Sequence, residues 1–417
     1  MSTPSAAGAY DVVILGAGYA GLMAALRLRR RTSRLRVGLI NRQDAFLERV
    51  RVQEAIVRPV ASRIPSLGRF LAGTGIDFIC GSVTALDPQR RCIRIATTAG
   101  ERDIVFQQAI YALGSTIDVE AIPGIAEHAY RLDDGEDANA VASLRARLGD
   151  AAGQALRIVT IGGAETGIEV AGEIKSACPN AEVTMVSRSR CGEFRGERVA
   201  EAVRTALTRL GVHMMDNEPI AEIRPTDIVT ASGRTIACDL CIWSGGLRAP
   251  SLAAEAGLAI DPQGRIWVDP SLRSVSHPHI LAVGDAAHPV APTGAPYRLS
   301  AYGALVSGAY AADVVAAQQR MHPLPPFSFS TVGQGVAIGR VGVGFWTYPD
   351  NRQSLFVIEG PIARHMRNLF VWMVTGVLKL ERQFPGSFIW PGRKRVSWHQ
   401  ANHAIEQRRT APRVQKA

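Results

Sequence analysis

The stretch that most constrains this chain runs Tyr10-Asp-Val-Val-Ile-Leu-Gly16-Ala-Gly18-Tyr-Ala-Gly21-Leu. An apolar run of strand type ends at Gly16, and an Ala/Leu/Arg segment of helical composition starts after Gly18. Gly16 suits the tight turn, Gly18 lets the backbone approach a pyrophosphate, and Gly21 lets the helix pack close on the strand. A helix starting there points unpaired N–H groups and a partial positive charge at the phosphates. The expected unit is a strand–turn–helix of an α/β fold with a dinucleotide at its edge.

The same logic returns at Leu156-Arg-Ile-Val-Thr-Ile-Gly162-Gly163-Ala164-Glu165-Thr166-Gly167-Ile-Glu169. The chain therefore reads as two Rossmann-like dinucleotide-binding domains. The middle glycine position is Ala164, whose methyl crowds the pyrophosphate and predicts weaker or displaced binding. After the first loop, Leu35–Ile40 reads as a strand, and the residue after it should be acidic to hold a ribose through both hydroxyls. Here it is Asn41, followed by Arg42, so the amide accepts one hydrogen bond where an acid would take two. After the second loop the strand Glu182–Val186 ends in Ser187-Arg188-Ser189-Arg190. Serine and arginine suit a 2′-phosphate, which favours NADPH over NADH; solvated surface arginines are the alternative.

Between the loops, residues 76–86 read as one strand. Residues 91–97 and 103–113 add two more in a small antiparallel layer. The last leaves through Ile110-Tyr-Ala112-Leu-Gly114-Ser115, a small-residue exit suited to close contact with a ligand. Residues 133–150 read as a helix. An aspartate following an apolar strand and a glycine, Val283-Gly284-Asp285, is placed to bind ribose or ribityl hydroxyls. Residues 301–313 form a small-residue helix able to pack on a flat ligand, and residues 321–326 form a linker. The divisions expected are 1–120 and 263–322 for one dinucleotide-binding domain in two parts, 121–262 for the other, and 323–417 for a C-terminal region.

The chain has 417 residues, 47% of them hydrophobic, with a formal net charge of +10. Its arginine-rich stretches do not alternate with aromatic residues and carry no nucleic-acid motif, so nucleic acid is not an expected partner. Anionic cofactors and an anionic membrane surface account better for the excess. The N-terminus lacks the features of a signal peptide, no stretch reaches the length of a spanning helix, and the six cysteines do not suggest a secreted disulfide framework. The expected location is the cytoplasm or its membrane face. Cys238 and Cys241 enter an apolar strand and read as core residues, and no metal site is expected at His277, His279 or His288. His288 reads as a capping or surface residue.

Residues 361–384 carry Ile362, Met366, Leu369, Phe370, Met373, Val377, Leu380 and Phe384 at helical spacing, with Arg364, His365, Asn368, Lys379 and Arg382 opposite. Such a helix lies in a membrane interface, packs in a core, or pairs with a second copy; these readings stay open. Residues 402–417 read as a disordered tail.

The order of these motifs resembles the two-dinucleotide-binding-domain flavoproteins, and among them the type II NADH dehydrogenases. The resemblance covers roughly residues 10 to 320 and rests on both loops, the Ala112–Ser115 exit, Trp243-Ser-Gly245-Gly246 and Val283-Gly-Asp285. It implies FAD on the first loop, with Asn41 at the ribose, the backbone near Val83 at the adenine and Asp285 at the ribityl chain. It implies NADPH or NADH on the second, with Glu169 near the nicotinamide and flavin, and a quinone or other small molecule as electron acceptor. Where that family carries an Ala-Gln pair beside the quinone, this chain has Ala301-Tyr302, which places Tyr302 at the acceptor. The alternatives are a flavoprotein with a dedicated small-molecule substrate and a slow redox sensor resembling apoptosis-inducing-factor proteins.

Overall fold

The computed structural model describes residues 9–31, 34–132, 140–150, 153, 155–319, 324–330, 332–347, 354, 356–392 and 396–410. In the first lobe, Tyr10–Leu15 runs parallel to Val37–Asn41 on one side and to Gly100–Tyr111 on the other. Asp77–Cys80 extends the sheet beyond Val37–Asn41, and Ile280–Ala282 extends it beyond Gly100–Tyr111. The central strands are apolar along nearly their whole length because both faces of this parallel sheet are buried. The first half of Gly100–Tyr111 also leads an antiparallel ribbon with Cys92–Thr97 and Ser82–Asp87.

That ribbon corrects the reading of residues 76–86 as one strand. Gly81 N–H donates to Asn41 O (2.8 Å), closing the parallel pairing, and the chain then crosses into the ribbon. A Cβ at Gly81 would stand 2.9 Å from Ala96 O, so only glycine allows the crossing. One apolar run thus serves two layers, a division hydrophobicity does not mark.

Helix α1 (Tyr19–Arg31) follows the first loop, and α2 (Glu165–Ala177) follows the second. Arg157–Ile161, leading into α2, sits inside a parallel sheet with Glu182–Val186 and Val212–Met215 on one side and Leu240–Trp243 and Ala129–Arg131 on the other. Cys238 and Cys241 are buried in this lobe's core, and burial pushes the Cys238 thiol up to about 11. The helix expected over 133–150 is present as Ala140–Asp150; residues 133–139 lie outside the described residues, as do 321–323 of the expected linker.

Helix α3 (Ala301–Gln319) packs along α1, while Gly303, Ala304 and Ser307 in its first turns line the cleft beside Asp285. A Cβ at Gly308 would collide with Ala20 O, so this position is bare for helix–helix approach. Arg27 of α1 is buried and fastens this contact through Nε and Nη2 to Asp313 (2.9 and 3.0 Å) and through Nη1 to Phe388 O (2.9 Å).

The C-terminal region forms an antiparallel sheet of Val332–Ile338, Val341–Thr347 and Val357–Gly360, on which α4 (Pro361–Gln383) lies. Its buried face is neither the apolar stripe nor the basic side read from the sequence. Ala363, Arg367, Val371, Val374, Thr375, Leu378 and Glu381 point inward, while Ile362 (70% exposed), Leu369, Trp372, Met373, Leu380 and Phe384 stay exposed. The inward face is polar at Arg367 and Glu381 because both find ionic partners in the body of the protein. The tail reading is also corrected: Trp398–Thr410 is a helix, α5, whose Ala404 and Ile405 pack with Val290 and Trp267; residues 411–417 lie outside the described residues.

Candidate functional site

The first loop behaves as a phosphate cradle. Gly16 adopts φ +95°, and a Cβ there would stand 2.5 Å from Ala112 O. A Cβ at Gly21 would collide with Gly16 O, whereas one at Gly18 would meet nothing within 4 Å. Two glycines are therefore spent on packing and one faces open space, where backbone N–H groups and the start of α1 are available to a pyrophosphate. Asn41 Oδ1 accepts from Ala17 N–H (3.0 Å) and its Nδ2 donates to Gln43 O (2.7 Å), so this residue braces the loop at the ribose end. Arg42 is exposed, and Val83 is half-buried in the ribbon.

Gly114 (φ +71°) also has open space where a Cβ would be. Ser115 Oγ donates to Asp285 Oδ2 (3.0 Å), and Arg49 Nη1 donates to Ser115 Oγ (3.4 Å). Burial pushes the Asp285 carboxyl up, with the Ser115 hydrogen bond pulling the other way. Gly16, Gly114 and Asp285 follow the carboxyl ends of three neighbouring parallel strands, which is where an open α/β sheet holds its ligand. The residues present fit an FAD: an open glycine backbone for phosphates and a carboxylate for hydroxyls. Beyond Asp285 the cleft is lined by Tyr297, Arg298, Ser300, Gly303, Phe327 and Phe329. Tyr302 stands beside this cleft in the first turn of α3, edge-on to Phe329 and Phe388 (6.1 and 6.3 Å between ring centres). Burial pushes its hydroxyl up to about 12, so it is a hydrogen-bonding phenol at neutral pH.

The second loop is built alike. Gly162 has φ +129°, and a Cβ at Gly167 would collide with Gly162 O. Gly163 differs in use: a Cβ there would run into Ser187, so its bareness admits a neighbouring side chain. Ala164 precedes α2 as its N-terminal flanking residue and is exposed. Ser187 is buried, Arg188 is exposed, and Arg190 Nη1 is already held by Glu197 (2.5 and 2.6 Å). Of the two arginines expected at a 2′-phosphate, Arg190 is held by a carboxylate and Arg188 has no ion pair among the described residues. Trp243 Nε1 donates to Gly245 O (2.7 Å), fixing the turn that faces this loop.

Glu169 is more enclosed than a residue facing a nicotinamide would be. Its Oε1 accepts from Ala337 N–H (2.8 Å) and Arg367 Nε (2.8 Å); its Oε2 accepts from Arg367 Nη2 (2.7 Å) and Gln53 Nε2 (2.5 Å). Arg367 Nη1 also donates to Glu54 Oε1 (2.9 Å) and Nη2 to Val50 O (3.0 Å). Burial outweighs the arginine at Glu169, whose carboxyl is pushed up. At Glu54 burial also raises, but Arg367, Arg51 and Arg58 together hold the carboxyl low. Both lobes and α4 meet in this cluster. Gln53, Glu54 and Arg367 were not legible as site residues; an arginine on the inward face of α4 is the one signal that could have pointed to it.

His288 is neither capping nor at the surface. It is buried, bonded through Nδ1 to Asp261 (2.5 Å) and packed against Trp267 with the rings tilted (4.1 Å between centres). Among the described residues, no group of three His, Cys, Asp or Glu is placed to hold a metal ion, and no helix is long and apolar enough to cross a membrane.

Comparison with known proteins agrees with this geometry. Residues 10–312 match the pyridine nucleotide-disulphide oxidoreductase family. An NADH dehydrogenase-like protein of Mycobacterium tuberculosis is 30% identical over 298 residues, covering 66% of this chain and 72% of the relative. The demethylphylloquinone reductase of Synechocystis is 23% identical, covering 79% of this chain and 85% of the relative. The fold matches the sulfide:quinone oxidoreductase of Aquifex aeolicus with a TM-score of 0.74 at 16% identity, over 91% of this chain and 93% of that one. With a glycine cradle in each lobe and Asp285 beside the first, this chain belongs to the pyridine nucleotide-disulphide oxidoreductase family, as an oxidoreductase that uses FAD and NAD(P)H.

Proposed function

We propose that the protein is a type II NAD(P)H dehydrogenase that delivers electrons to a quinone at a membrane surface. The observation that carries this reading is the pairing of two dinucleotide cradles in one chain, one of them opening past Asp285 into an aromatic cleft. FAD supplies, when bound, the two-electron relay between nicotinamide and acceptor. The chain's own residues hold and orient. The N-termini of α1 and α2 offer N–H groups to phosphates, Asp285 accepts from hydroxyls, and Glu169 sits at the meeting point of the lobes. Tyr302 remains protonated and offers a hydrogen bond to an acceptor carbonyl.

The exposed stripe on α4 supports a lipid-soluble acceptor. Ile362, Leu369, Trp372, Leu380 and Phe384 line one side of the helix, and Phe356 and Ile389 (65% and 79% exposed) add to the same region of chain. Lys379 and Arg382 are exposed on the same helix, the combination that seats a helix in an anionic lipid interface. The name of the Synechocystis relative gives it a quinone as substrate. Tyr302 in place of a glutamine favours a second reading, a dedicated small-molecule substrate.

The test is an anaerobic acceptor screen after the bound flavin has been identified. The purified protein should be yellow, its flavin should bleach within seconds of adding NADPH or NADH, and menaquinone or ubiquinone analogues should restore the colour. A colourless protein that cannot be reconstituted with FAD sinks the proposal; rapid bleaching without quinone turnover moves it to the second reading.

A further inference from the structure

Arg298 belongs to the first lobe, in the segment between Ala287–His288 and α3, and lines the cleft beyond Asp285. Its Nη2 crosses to the second lobe and donates to Phe194 O (2.6 Å). Its Nε–H is buried and has no partner among the described residues. The acid in its surroundings is Glu165, the first residue of α2, and that carboxylate is held by Arg195 through Nε (2.9 Å) and Nη2 (2.5 Å). Burial first, and Arg195 second, push the Arg298 guanidinium down to about 10. At neutral pH it is still a cation, half-buried beside a second cation. A charge in that position is costly unless an anion joins it.

The place of this charge identifies the anion. Glu165 marks the N-terminus of α2, where the second glycine loop would hold the pyrophosphate of a nicotinamide dinucleotide. Arg195 removes the repulsion that a free Glu165 carboxylate would exert there. Ala164 stands in the second loop where Gly18, with open space at its Cβ position, stands in the first; a methyl there keeps phosphates off the backbone, so they need a further donor standing off the loop.

We propose that Arg298 is that donor: a first-lobe residue that binds the pyrophosphate of NAD(P)H across the cleft and offsets the weakened loop at Ala164. Arg188 reads the adenosine end of the cofactor; Arg298 reads its middle and does not distinguish NADPH from NADH. The inference rests on the second loop being the NAD(P)H site.

The test uses the FAD-loaded protein and ADP-ribose, which carries the pyrophosphate without the redox ring. Calorimetry should show Arg298→Gln raising the ADP-ribose Kd by about ten- to a hundred-fold, the size of a lost charge-assisted hydrogen bond. FAD content should be unchanged, the salt dependence of binding should weaken, and Arg298→Lys should recover part of the affinity. Wild-type protein that binds no ADP-ribose overturns the reading of the second loop and the inference with it. Wild-type binding that Arg298→Gln leaves intact overturns the inference alone. Should Arg298→Gln lose its flavin, Arg298→Lys decides: with the flavin retained, a several-fold weaker affinity for ADP-ribose supports the proposal, and affinity equal to wild type refutes it.

Discussion

Replacing Arg367 with methionine should unfold the junction of the lobes in a pH-dependent way. The substitution removes two bonds to Glu169 (2.8 and 2.7 Å), one to Glu54 (2.9 Å) and one to Val50 O (3.0 Å), all in a region closed to water. Glu54 keeps Arg51 and Arg58 (3.4 and 2.8 Å), but Glu169 keeps only Gln53 and the Ala337 N–H. Taking one partner from a buried ion pair costs about 3–5 kcal/mol, because the other charge stays behind unpaired.

The sign with pH follows from Glu169. Its folded-state carboxyl is already pushed above the ordinary value by burial, with Arg367 the main opposing influence. Losing the arginine raises it further. Ionised Glu169 then opposes folding at every pH above its folded value, and the cost fades as pH falls through that value and the group becomes neutral. Glu54, held low in the native protein, adds stability that is present above its unfolded value and lost on acidification, so the difference between the two proteins shrinks from this side as well. Denaturant unfolding at pH 8 and pH 5 should show the full deficit at the first and a clearly smaller one at the second. Combining Arg367→Met with Glu169→Gln should restore most of the stability at pH 8 and flatten the pH dependence. A deficit under about 1 kcal/mol, or one equal at both pH values, would refute the reasoning.

Three further outcomes are expected. Arg188→Ala should raise the KM for NADPH several-fold and spare NADH, since Arg190 is tied to Glu197; equal effects on both would assign Arg188 to the surface. Ala164→Gly should tighten ADP-ribose binding several-fold in calorimetry by clearing the loop, and unchanged affinity would mean the methyl lies off the phosphate path. Leu369→Ser with Trp372→Ser should abolish sedimentation with anionic vesicles while leaving soluble acceptor reduction intact; unaltered sedimentation would show that the stripe on α4 does not meet lipid.

Much of this was readable in the sequence because local sterics decide it. A glycine that must turn at φ +95°, or pass a carbonyl oxygen, is marked by its own identity, and so Gly16, Gly21, Gly162 and Gly167 were legible before any fold was known. The apolar strands leading into them were legible for the same reason, since a strand covered on both faces has no polar side to hide. Asp285 could be anticipated from its place after a strand and a glycine. What tertiary structure alone decided depends on contacts between residues hundreds of positions apart. Periodicity finds the amphipathic character of α4 but does not say which face turns inward, and here Arg367 and Glu381 go in because Glu169, Glu54 and Arg27 await them. The enclosure of Glu169 and the unpartnered Nε of Arg298 are of the same kind: each is fixed by which groups the fold brings together, and such pairing leaves no local pattern in a sequence.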